Sequence, residues 1–95
     1  MTIGLSEATI TAQNTGTDAV QSDSGHVNLV GNFGNFVGTV HVQRRFGASG
    51  DWIDVASYTA SFNKIAKEIE SETEYRIFCK TGNYTSGSGY FRVSY

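Results

Sequence analysis

Apolar and polar residues alternate with a period of two along most of this chain, the pattern of strands that bury one face. From His26 to Phe33, Val27, Leu29 and Phe33 fall on one side and His26, Asn28 and Val30 on the other. Val37 to Phe46 opposes Val40, Val42 and Phe46 to Thr39, His41, Gln43 and Arg45. The loop Gly47-Ala48-Ser49-Gly50-Asp51 then leads into Trp52 to Tyr58, which predicts a hairpin. Glu74 to Thr81 places Tyr75, Ile77 and Cys79 together, and Ser88 to Tyr95 sets Phe91, Val93 and Tyr95 against Tyr90, Arg92 and Ser94. Strands at this spacing, separated by glycine-rich turns, predict an all-β chain folded as a single antiparallel β-sandwich.

Three stretches read less simply. Between Ala60 and Glu72, Phe62, Ile65 and Ile69 fit a helical spacing, but Ile65 and Ile69 are also in phase with a strand. With strands on both sides, two short strands are the expectation. Residues 1–25 are polar. They alternate weakly from Ile3 to Thr11 and then form a loop with an edge strand around Ala19-Val20-Gln21, so they predict an N-terminal arm plus edge strand, the arm either part of the sheet or reaching toward a partner. The doubled Asn-Phe of Gly31-Asn32-Phe33-Gly34-Asn35-Phe36 predicts a tight connection with one Phe in the core and one near the rim.

Length leaves room for one domain, residues 1–95, and the 39% hydrophobic content is enough to line a two-layer core. So small a domain is marginal on its own, which favours life in an assembly. Seven Lys and Arg are outnumbered by nine Asp and Glu and are scattered apart from Arg44-Arg45, which argues against a nucleic-acid partner. No stretch has the apolar length of a membrane span or the layout of a secretion signal, so the chain is expected to be made in a cytosol without contacting a membrane. Cys79, the single cysteine, rules out an internal disulfide and reads as a buried thiol within a strand.

Candidate chemistry is sparse. His26 and His41 would not face each other in a simple hairpin about Asn35, no loop has a calcium-binding pattern, and no nucleophile, base and acid stand together. No catalytic residue, metal or cofactor is therefore expected. Glu68, Glu70, Glu72 and Glu74 recur at every second residue, a carboxylate stripe read as a solvated face able to meet a basic partner. Trp52, Tyr58, Tyr84 and Tyr90, with Asn83 beside Tyr84, are candidates for a stacking platform under sugar rings, and Tyr84 in its turn is the best exposed of them.

The run Thr39-Val40-His41-Val42-Gln43-Arg44-Arg45-Phe46, the Gly-Ala-Ser-Gly-Asp loop and Trp52-Ile53-Asp54-Val55-Ala56-Ser57-Tyr58-Thr59-Ala60 resemble the small β-sandwich proteins of tailed bacteriophage particles. So does the ending Tyr75-Arg76 through Thr81-Gly82-Asn83-Tyr84-Thr85-Ser86-Gly87 to Arg92-Val93-Ser94. The resemblance covers residues 26–95 and rests on strand and turn signatures. It implies an immunoglobulin-like sandwich of about seven strands that decorates or cements a phage head. Its partners would be the major capsid protein and neighbouring copies of itself, as a homo-oligomer on the outer capsid surface of the virion. Docking would use the N-terminal arm with Thr2, Ile3 and Leu5, and the acidic Glu68, Glu70 and Glu72. The alternative is a glycan- or host-surface-binding tail or fibre module that uses Trp52, Tyr58, Asn83 and Tyr84.

Overall fold

Seven strands of six or seven residues carry the architecture in the computed structural model, which describes residues 5–22, 25–47, 50–68 and 73–94. They are β1 (Leu5–Ile10), β4 (His26–Asn32), β6 (Val40–Phe46), β7 (Ile53–Tyr58), β8 (Phe62–Lys67), β9 (Thr73–Cys79) and β11 (Gly89–Ser94). Between them lie four short strands: β2 (Thr15–Gly16), β3 (Val20–Ser22), β5 (Val37–Gly38) and β10 (Tyr84–Ser86). β4, β9 and β11 follow the predicted alternation, most cleanly β9, where every second residue from Thr73 to Cys79 is buried, while Phe46, expected beside Val40 and Val42, is exposed at the end of β6.

The first sheet runs β1-β11-β4-β8; the second runs β2-β9-β6-β7, with β3 also on β9, and every pairing is antiparallel. Inward residues of both sheets merge into one core of Ile10, Val20, Val27, Leu29, Val40, Val42, Phe62, Ile77, Cys79, Phe91 and Val93 with their neighbours. Full burial of a side chain such as Phe91 or Ile77 stabilises the fold by about 1.5–3 kcal/mol.

The sandwich is as expected, while its strand order differs from the immunoglobulin arrangement, in which the last two strands lie in one sheet. Here β9 and β11 belong to opposite sheets, and so do β4 and β6. Only β6 and β7 form a hairpin among the long strands; every other connection between consecutive long strands in the described residues crosses from one sheet to the other or passes through a short strand of the other. That alternation is the order of a double Greek key, or jelly roll. The turn at Gly34-Asn35 is therefore a crossover and not the simple hairpin pictured from sequence.

Two local expectations change for identifiable reasons. Phe36 is buried beside Phe33, because the small β5-β10 pair covers that end and both rings meet Phe91 edge-on. Gly87, at φ +83°, lies so close to the Asn35 carbonyl that a side chain there would collide with it. Ala60 to Glu72 contributes one described strand, β8, in the opposite phase to that expected: pairing Gly31 with Phe62, Leu29 with Lys64 and Val27 with Ala66 turns Ile65 outward, opposite Asn28. A one-residue shift would reverse every side chain, and the buried face of β4 fixes the choice. Ile69 lies outside the described residues. Residues 5–22 of the predicted arm are built into both sheets, β1 on β11 and β2 with β3 on β9.

Candidate docking groove on the open flank

The two sheets end side by side in β8 and β7, whose outer edges pair with no other strand among the described residues. Between them the layers splay into a cavity of about 340 Å³ lined by Leu29, Val42, Val55, Ala56, Tyr58, Lys64, Ile65, Ala66 and Tyr75. Leu29, Val42 and Tyr75 are core residues, so the cavity reaches the core. Two of the lining residues are themselves strongly exposed: Ile65 is 72% exposed and Val55 51%.

Each end of the groove is closed by a contact between the sheets. At one end Tyr58 of β7 stacks on Phe62 of β8, with ring centroids 3.9 Å apart and planes at 14°. Gly31 makes this possible, since a Cβ there would strike the Phe62 ring. At the other end Arg44 grips Glu68 in a bidentate pair, Nε to Oε1 at 2.6 Å and Nη2 to Oε2 at 3.0 Å, while Tyr75 donates its hydroxyl to Oε1 at 2.8 Å. The Glu68 amide donates to the Gly25 carbonyl at 2.9 Å. Burial, reinforced by Glu68, pushes the Tyr75 hydroxyl up to about 12. Glu68 holds Arg44 above its ordinary range. A buried charge needs such partners, because an unpaired one in that setting costs several kcal/mol.

Both edges also carry devices against pairing with another strand. Along β7 the register slips, with Val42 opposite Ala56 and Gln43 opposite Asp54, so Val55 is the extra residue of a bulge. On β8, Lys64 occupies an inward position opposite Leu29, and its exposed side chain lines the groove. Neither Lys64 nor Lys67 has an ion-pair partner among the described residues.

The outer face of the second sheet is built quite differently. Arg45 and Arg76 each place a guanidinium over Trp52, 4.4 Å and 4.3 Å from the ring centroid, and Arg76 also lies 4.1 Å from that of Phe78. Arg45 pairs with Glu74 at 2.6 Å; Gln43 donates to Asp54 at 2.9 Å and accepts from Arg76 at 2.7 Å; Lys80 pairs with Asp54. Lys80, then Gln43, hold the Asp54 carboxyl below its usual range, and burial followed by Arg45 pulls Arg76 below its own.

The residues singled out from sequence do not converge on one site. Thr2, Ile3, Glu70 and Glu72 lie outside the described residues. Leu5 is exposed at the start of β1, on the edge of the first sheet away from β8. Glu68 is a correction: it is buried and committed to Arg44 and Tyr75, so it offers no carboxylate to a partner. Trp52 is half-buried beneath two guanidiniums and Tyr58 is stacked on Phe62. Tyr84, expected to be the best exposed, is half-buried against Phe36, and its hydroxyl donates to the Gly87 carbonyl at 2.8 Å. Asn83 is held by its backbone, which accepts from Thr39 and donates to Lys80. The groove residues Val55, Lys64 and Ala66 were missed. The usable signal was a lysine at a position whose strand neighbours face the core.

Cys79 is buried, as expected, and burial pushes its thiol up. Among the described residues no three His, Cys, Asp or Glu side chains are grouped as a metal would require, and no helix is long and apolar enough to cross a membrane. No family model, curated protein or solved structure matches this chain.

Proposed function

We propose that this chain is a structural docking module of a tailed-phage particle, a decoration or cement protein that seats on the outer surface of the capsid shell. The observation that carries the docking reading is the open flank, where Val55 and Ile65 line an apolar groove and are each more than half exposed. Contiguous exposed apolar surface with a polar surround marks interaction sites on soluble domains. The strand and turn signatures of residues 26–95 support the phage setting, and the major capsid protein is the partner that setting supplies. Several copies per shell, in contact with one another, follow from the same reading, and the role is binding and not catalysis. Fold by itself assigns no role. The glycan-binding alternative has less support, since Trp52, Tyr58 and Tyr84 are each engaged within the chain.

Co-sedimentation of the purified protein with assembled phage shells and with free capsid subunits tests this. Saturable binding to shells that is lost in Val55→Asp and Ile65→Asp, and kept in Trp52→Ala, is the expected result. Absence of shell binding, or binding indifferent to both flank substitutions, would overturn it.

A further inference from the structure

The groove's construction narrows what enters it, and this step rests on the flank being the docking face. Addition of a partner strand is the usual use of a free sheet edge, but both edges here resist it. Val55 bulges out of the β7 ladder, and β8 places Lys64 and Lys67 along its short length. Lys64 points inward from this edge strand, a lysine placement that disfavours pairing with a further strand such as β8 of a second copy. What stays accessible is the side-chain cavity between the edges, not their backbones.

That cavity has one sign of charge. Its floor and walls are Leu29, Val42, Val55, Ala56 and Ala66, and among the described residues the only ionised side chain lining it is that of Lys64. Tyr75, the polar group at its depth, already gives its hydroxyl to Glu68. A cavity of about 340 Å³ lies at the small end of those that enclose a ligand group. We infer that the groove receives a segment of the partner protein that presents a large apolar side chain next to a carboxylate, the side chain filling the cavity and the carboxylate meeting Lys64. Lys64 then determines specificity, by attracting an acidic neighbour and rejecting a basic one.

Decanoate serves as the probe, because it joins an apolar chain to a carboxylate without a peptide backbone. In a titration followed by amide and methyl NMR shifts, decanoate is expected to shift Leu29, Val55 and Ala66 saturably, and to bind roughly fivefold tighter than decyltrimethylammonium, the scale of one exposed ion pair. Lys64→Glu is expected to reverse that order and Lys64→Arg to retain it. Lys64 is exposed, so both variants should fold, which the dispersion of the same spectra reports. Equal binding of the two amphiphiles, or shifts confined to other faces, would overturn the inference. Shell co-sedimentation fails or succeeds separately: if shells are bound through the flank but decanoate shows no preference, the groove chemistry is wrong and the docking role stands. If decanoate binds with the Lys64 dependence and shells do not bind, the docking role is wrong and the groove's preference stands.

Discussion

The outer face of the second sheet and the open flank differ in a way that residue type alone conceals. Trp52, two arginines, an aspartate, a glutamate and a histidine make the outer face look like a binding site, yet its charges are largely spent on each other: Arg45 on Glu74, Lys80 on Asp54, Arg76 on Gln43 and two aromatic rings. The flank is made of Val, Ile, Ala and Lys, the ordinary material of strands, and among the described residues Lys64 has no ion-pair partner while Val55 and Ile65 stay more than half exposed. A surface is poised to bind by what it leaves unsatisfied and not by the chemical variety it displays.

Substitutions can break this contrast or sharpen it. The largest effect is expected at the aromatic end of the groove, where Phe62→Ala removes a buried ring and its stack on Tyr58, at about 4 kcal/mol in urea unfolding. Glu68→Ala at the opposite end leaves the Arg44 charge uncompensated and should cost about 3 kcal/mol. The same substitution on the outer face is cheap by comparison: Glu74→Ala should cost below about 1 kcal/mol, since that pair is partly exposed to water. Equal costs for the two glutamates would erase the distinction between an internal clamp and a surface ladder.

Tyr75 gives the clamp a pH signature. Its hydroxyl is raised in the folded chain to about 12 from the ordinary 10.0, so the folded state favours the protonated form. The resulting stabilisation is complete below pH 10 and is lost as pH rises through the folded value, by on the order of 2–3 kcal/mol. Thermal melts between pH 9 and pH 12 should show this loss, and Tyr75→Phe should flatten it while lowering stability at neutral pH by about 1.5 kcal/mol through the lost bond to Glu68.

Most of the strands could be read from sequence because alternation is local. Val27 with Leu29, Tyr75 with Ile77 and Phe91 with Val93 face inward as their spacing implies. Connectivity could not be read, because Gly34-Asn35 and Gly82-Asn83 carry the same turn signals whether the chain doubles back within one sheet or crosses to the other. Phase was misread in β8, where Ile65 is more hydrophobic than Lys64 or Ala66 and yet faces outward; only its pairing with β4 decides the matter. Glu68 was misjudged through its neighbours in a run of alternating glutamates. The contrary clue lay elsewhere: Arg44 follows Val40 and Val42 on the inward side of β6, and a cation at a core position calls for a buried anion.

Hydrogen exchange of the protein bound to assembled shells, compared with the free protein, tests the central claim most directly. The account predicts added protection at the amides of β7 and β8, from Ile53 to Lys67, with the outer-face strand β9 unchanged. Protection confined to β1 or β9, with β7 and β8 exchanging as in the free protein, would contradict it.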